Sequence, residues 1–148
     1  MTKEQTLKLL DAAKLSHKSK MEAIKLYIVE RGAVELSIAP RDECHFSRWL
    51  HQKENDLHSI LGDQFYKTLE SIYARWYEQY HKIYNLFYAK DEPSLLSKVF
   101  GSTKRDILKT ERAKLYYREL SELSSELLSM MNSCERRVHA LSDTLFKR

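Results

Sequence analysis

Glycine and proline are scarce in this chain, at three and two residues in 148. So few sharp turns and helix breakers leave long uninterrupted elements, and the abundance of Leu, Glu, Lys, Ala, Ser and Tyr between them favours helix. Long apolar runs are missing as well. None approaches the roughly 18 residues that cross a bilayer. The opening MTKEQTLKLL carries charges where a secretory apolar region would have none, so no membrane insertion and a cytoplasmic location are expected. The two cysteines, Cys44 and Cys134, are too few for a disulfide scaffold. Both are expected as thiols.

The usual signatures of catalysis are absent too. There is no Gly-rich phosphate loop, no Ser nucleophile elbow, no HExxH and no CxxC, so no enzyme is expected. Charge of one sign is not in large excess: 25 Lys and Arg are interleaved with 21 Asp and Glu, giving a net charge of +4. A lysine series on the first helix (Lys3, Lys8, Lys14, Lys18, Lys20, Lys25) lacks the interleaved aromatics of a nucleic-acid reader. Nucleic acid is therefore not an expected partner.

What is present is apolar periodicity. At 148 residues and 43% apolar content the chain suits one domain with one core. Leu10, Ala13, His17, Met21, Ile24 and Ile28 step by three or four, which predicts a first helix from Thr2 to about Arg31, stopped at Gly32. Asp42 or Glu43 is placed to cap a short second helix with Cys44 in its first turn and Phe46, Trp49 and Leu50 inward, loosening near Glu54 to Asp56. A polar stretch past Leu57, Ile60 and Leu61 reaches Gly62-Asp63, where a new cap opens a third helix, about Gln64 to Lys90.

On that helix Leu69, Tyr73, Trp76, Tyr80, Ile83 and Phe87 form one seam. Ala74, Tyr77, His81, Tyr84 and Tyr88 form a second line beside it, which places His81 toward the bundle or its edge. Asp91-Glu92-Pro93 breaks the pattern, and SLLSKVFGS is predicted as a short helix or ordered turn ending near Gly101. A last helix is predicted from about Thr103 to Phe146, with Leu120, Leu123, Leu127, Met130, Cys134, Val138, Leu141 and Leu145 inward. Its reach of roughly 66 Å exceeds the other helices, so it either breaks near Thr110 or extends past the bundle toward a partner. The expected fold is all-α: an antiparallel four-helix bundle with short extra segments and a long C-terminal helix, as a single domain over 1–148 and able to dimerise through that helix.

The side chains left for chemistry are imidazole and thiol. His17 and His81 fall on inward faces and Cys44 at a helix start, so a bundle could gather them, and zinc takes such ligands. Each also has a plain structural role. A His in an apolar seam can be a hydrogen-bonded core residue, and a lone Cys a small buried hydrophobe. Cys134 is expected in core or interface packing. His45, His51, His58 and His139 are expected at the surface or its boundary.

The words around these residues, LSHKSKMEAI, CHFSRWL and WYEQYHKIYNLF, in this order and at these separations, resemble the chemoreceptor zinc-binding (CZB) domain family of bacteria. The family pattern is a helix-borne His, a Cys-x-[Leu/Phe]-Gly-[Lys/Arg]-Trp-[Leu/Ile] segment, and a His-x3-His pair on a later helix. Cys44, Phe46, Arg48, Trp49 and Leu50 match the middle segment, and the likeness covers roughly residues 10 to 90. The resemblance implies a small helical bundle that binds one zinc through three His and one Cys. It implies a cysteine that switches with oxidants such as hypochlorous acid or with zinc availability, and a signal passed to a chemoreceptor or cyclic-di-GMP enzyme.

Carried over by position, the resemblance makes His17, Cys44 and His81 zinc ligands. Ser47 stands at the family's Gly, and Tyr77 stands where the first His of the pair belongs. Three outcomes stay open: zinc on three residues with water or a recruited residue such as His45, zinc with Tyr77 as the fourth ligand, or zinc lost and the space filled by aromatic packing. In the first helical turn Cys44 would have a lowered thiol pKa, and oxidation would make it a poor ligand and release helix 2. The expected function is a stand-alone sensory or regulatory module working through a partner protein. The alternative is a metal-free helical interaction or scaffold protein.

Overall fold

The computed structural model describes residues 2–29, 50–51, 57–88 and 95–146. Among them are four α-helices and no strand: α1 (Lys3–Val29), α2 (Leu57–Leu61), α3 (Asp63–Tyr88) and α4 (Leu95–Ala140), with a 3-10 turn at Asp143–Leu145. The all-α bundle expected from the sequence is therefore observed. Its second helix lies outside the described residues apart from Leu50 and His51, as do Gly32, Cys44, His45, Ser47, Trp49 and Pro93.

Side-chain contacts fix how the long helices run. Arg137 reaches the Leu61 carbonyl (3.0 Å) and Gln79 the Tyr116 carbonyl (3.2 Å), so α4 descends as α3 rises. Lys3 bonds the carbonyls of His139 and Leu141 (both 2.8 Å), and His17 meets Ser124, so α4 is antiparallel to α1 as well. Met21 lies on Trp76 and Tyr27 on Phe87, so α1 and α3 run in the same direction.

The core follows from helical periodicity. Every predicted α1 seam residue is buried, with Thr6 added one turn before Leu10. Leu69, Tyr73, Trp76, Tyr80 and Ile83 are buried on α3, joined by Ile72 and Gln79. Phe87 is half-buried, because it lies near the end of the bundle. Leu50 and Leu61 close the opposite end, where the Tyr66 hydroxyl donates to the Leu50 carbonyl. Residues 57–61 form a helical turn instead of a plain connection. Gly62 ends it at φ 89°, a backbone conformation that L side chains rarely adopt.

The last helix corrects the sequence reading at its start, at its end and in its buried line, and of the two alternatives at Thr110 it takes the unbroken one. It runs unbroken through both Gly101 and Thr110 from Leu95. A single helical Gly costs about 1 kcal/mol relative to Ala, and no proline follows to block propagation. It stops at Ala140 rather than Phe146, because the chain turns extended at Ser142, whose hydroxyl caps the 3-10 turn. Leu145 is consequently 60% exposed, while Phe146 folds back into the core. The buried line is Ala113, Leu120, Ser124, Leu127, Met131, Cys134 and Val138, so Leu123, Met130 and Leu141 lie at its edge.

Lys3 anchors the exit of α4. Its ammonium satisfies carbonyls left over at a helix C-terminus, where a cation also meets the favourable end of the dipole. Lys14 adds a second cross-tie to α4 through Glu135 and Asn132. The Arg137 guanidinium stacks over the Phe65 ring at 4.1 Å.

Candidate metal centre

His17 sits at the meeting of the three long helices. It is 5% exposed, its Nε2 lies 2.7 Å from the Ser124 hydroxyl on α4, and its ring meets Trp76 on α3 edge-on at 4.9 Å. Trp76 in turn directs its indole N–H at the Met21 sulfur, 3.4 Å away. Burial, with Lys20 nearby, pushes the imidazole pKa down to about 4. The ring is therefore neutral at physiological pH.

Lys20 helps close this centre. Its ammonium lies 4.6 Å from the Tyr80 ring centroid and 5.6 Å from that of Trp76. Trp76 stacks between Tyr73 and Tyr80 along α3, which holds the indole against His17. One aromatic column thus holds Trp76 against the imidazole and carries the Lys20 ammonium over two of its rings.

His81 lies on the second line of α3, half-buried, with Tyr77 one turn before it and Tyr84 one turn after. The Asn85 amide nitrogen is 3.1 Å from its Nδ1. Five residues separate Trp76 from His81, which is roughly 140° around the helix. The hydrogen-bond and ring partners of His17 and of His81 are accordingly different residues. Among the described residues no three His, Cys, Asp or Glu side chains lie together as a metal site. Cys44 and His45, the other named candidates, fall outside the described residues.

The remaining histidines are peripheral. His51 pairs with Glu70 at 2.8 Å, His58 with Asp63 at 2.5 Å, and His139 lies 3.9 Å from Glu135, all exposed. Bonds from His58 and Lys67 hold the Asp63 carboxyl below its usual range. Cys134 is wholly buried, and burial pushes its thiol up to about 12, which suits packing and not thiolate chemistry.

Ser124 is the polar side chain of this centre that seam reading passes over. A signal for it existed: Ser124 stands three or four residues from Leu120 and Leu127, and His17 stands in the α1 seam. Two polar residues in facing apolar seams point to a mutual hydrogen bond.

In chemical terms, a serine hydroxyl both donates and accepts, so the bond admits either tautomer; with the proton on Nε2 donated to Ser124, the lone pair is left on Nδ1. That is the arrangement of a metal-bound imidazole, whose second nitrogen donates to a fixed oxygen. In that tautomer the neutral His17 has the protonation state of a zinc ligand. Its bond to Ser124 and its Trp76 contact also suffice for a buried histidine without metal.

No family model matches the chain, and neither the curated proteins nor the solved structures contain a match to it. No described helix is long and apolar enough to cross a membrane.

Proposed function

We propose that this chain is a zinc-binding regulatory module of CZB type, non-catalytic, with His17, Cys44 and His81 as ligands and Tyr77 or His45 as the candidates for a fourth. The observation that carries the reading is the His17–Ser124 bond: a buried imidazole with a pKa near 4 needs no deprotonation to bind a metal, and the Ser124 hydroxyl is able to accept from Nε2 and leave Nδ1 for the metal. The likeness of CHFSRWL and its flanking His-bearing segments to the family supplies the rest of the ligand set. Zinc, when bound, would tie the Cys44 segment to α1 and α3. Oxidation of the Cys44 sulfur would remove that tie, and a protein partner, a chemoreceptor or a cyclic-di-GMP enzyme, would read the change in a cytoplasmic setting.

A second reading has its own support. His17 already has a hydrogen bond and an aromatic neighbour inside the chain, and His81 has Asn85. A metal-free interaction bundle would need nothing further from either residue.

Zinc per chain, measured on protein purified without added metal, separates the two. Near-stoichiometric zinc that falls in Cys44→Ser supports the sensor, and no zinc in either protein refutes it. Restoring the family pair with Tyr77→His should raise zinc affinity. Unchanged affinity would mean that Tyr77 does not adjoin the metal.

A further inference from the structure

Helix α4 outruns its neighbours and carries its charges in blocks. It has 46 residues against 27 in α1 and 26 in α3. Since Gln79 is level with Tyr116 in the antiparallel pair, Tyr88 at the end of α3 is level with about residue 107, and roughly 18 Å of α4 continues beyond it. Between 95 and 115 the sequence holds six Lys and Arg (Lys98, Lys104, Arg105, Lys109, Arg112, Lys114) against Asp106 and Glu111. Between 116 and 126 it holds Glu119, Glu122 and Glu126 against Arg118. The helix is basic before its middle and acidic just after it.

One exposed face of α4 displays this division. Leu108, Arg112, Leu115, Glu119, Glu122 and Glu126 follow at steps of 4, 3, 4, 3 and 4, and all are exposed. Leu108 and Leu115 are 65% and 61% exposed, large values for leucines seven residues apart on one helix face. In sequence Arg105 stands a heptad before Arg112, and Glu126 a heptad after Glu119. One heptad position therefore reads Arg, Arg, Glu, Glu.

We infer that this face is a homodimer contact in which α4 pairs antiparallel with α4 of a second copy, about a two-fold axis passing between Leu115 and Tyr116. That axis sets Arg112 of each chain opposite Glu119 of the other, and positions 105 and 126 opposite each other in the same register. A parallel pair would set Arg against Arg and Glu against Glu. The antiparallel arrangement is self-complementary, as an isologous contact must be. It also covers Leu108 and Leu115 and lays the overhanging end of each α4 along residues 124–136 of the other. The charge pattern selects this occupant, since a uniformly acidic or basic partner could satisfy only half of the face. The inference does not depend on whether the protein binds zinc.

Sedimentation equilibrium of the full chain across a concentration series tests it, with circular dichroism to confirm folding. The wild type should dimerise, more weakly as salt rises. R112E and E119R alone should each weaken the dimer by about tenfold or more, because two opposed pairs become repulsive. The R112E/E119R double variant should recover it. A mixture of the R112E chain with the E119R chain should form heterodimers more readily than either associates with itself. A wild type that stays monomeric throughout, single reversals without effect, or a mixture that fails to associate would each overturn the contact.

Discussion

The Ser124 hydroxyl lies 2.7 Å from Nε2 of His17, a hydrogen bond between residues 107 positions apart that joins α1 to α4 through the core. It is a buried polar pair in a largely apolar core, and Trp76 of α3 packs against its imidazole. Ser124→Ala would strand a buried imidazole nitrogen. It should cost about 1–3 kcal/mol in urea unfolding with a chelator present. Replacing both partners, as His17→Leu with Ser124→Ala, should cost less than the two single losses added together.

The same histidine makes stability depend on pH. Its folded pKa of about 4 lies below the ordinary value of 6.5, so the unfolded chain takes up the proton first as pH falls. The contribution is whole above pH 6.5 and is lost progressively between 6.5 and 4, reaching on the order of 3 kcal/mol. Unfolding free energies from pH 7.5 to 4.5 should therefore fall less steeply for His17→Leu than for the wild type. Equal slopes would show that the ring is not buried neutral in solution.

Cys134 should resist thiol reagents. It is wholly buried with a pKa raised to about 12, so almost no thiolate forms at neutral pH. In a Cys44→Ser background, Ellman's reagent should register almost no thiol in native protein and one per chain in urea. Fast native labelling would contradict the burial of Cys134 on the inner face of α4.

Gly62 joins α2 to α3 at φ 89°, and a Cβ built there meets nothing within 4 Å. Gly62→Ala would therefore cost backbone strain alone, about 1–2 kcal/mol. Thermal denaturation should show a lowered midpoint, and Gly62→Asn should recover part of it, since Asn tolerates the left-handed region better.

The helices and most of the core were legible in residue spacing, because an amphipathic helix writes its buried face into steps of three and four. His17 and Trp76 were found in this way. Met131 was not: the steps 120, 123, 127, 130 and 120, 124, 127, 131 are both helical, and only the apolar choice at 123 favoured the first. Ser124 holds the second register in place by bonding His17, a contact that a scan for apolar residues passes over. Gly101 suggested a break because glycine weakens a helix, yet a local cost of that size does not stop a helix of this length. Of the candidate ligands, spacing put His17 in the core and His81 at its edge, but it could not show that their rings have different neighbours.

The sequence by itself determined the all-α class, the inward faces of α1 and α3, part of that of α4, and the blocks of charge along the last helix. These follow from the local geometry of 3.6 residues per turn and from composition, and need no knowledge of neighbours. Tertiary structure alone decided that Ser124 meets His17, that Lys3 closes the end of α4, and that α4 projects beyond α3. Those relationships depend on the relative rotation and axial offset of helices far apart in sequence, which packing of the whole core sets and no local pattern encodes.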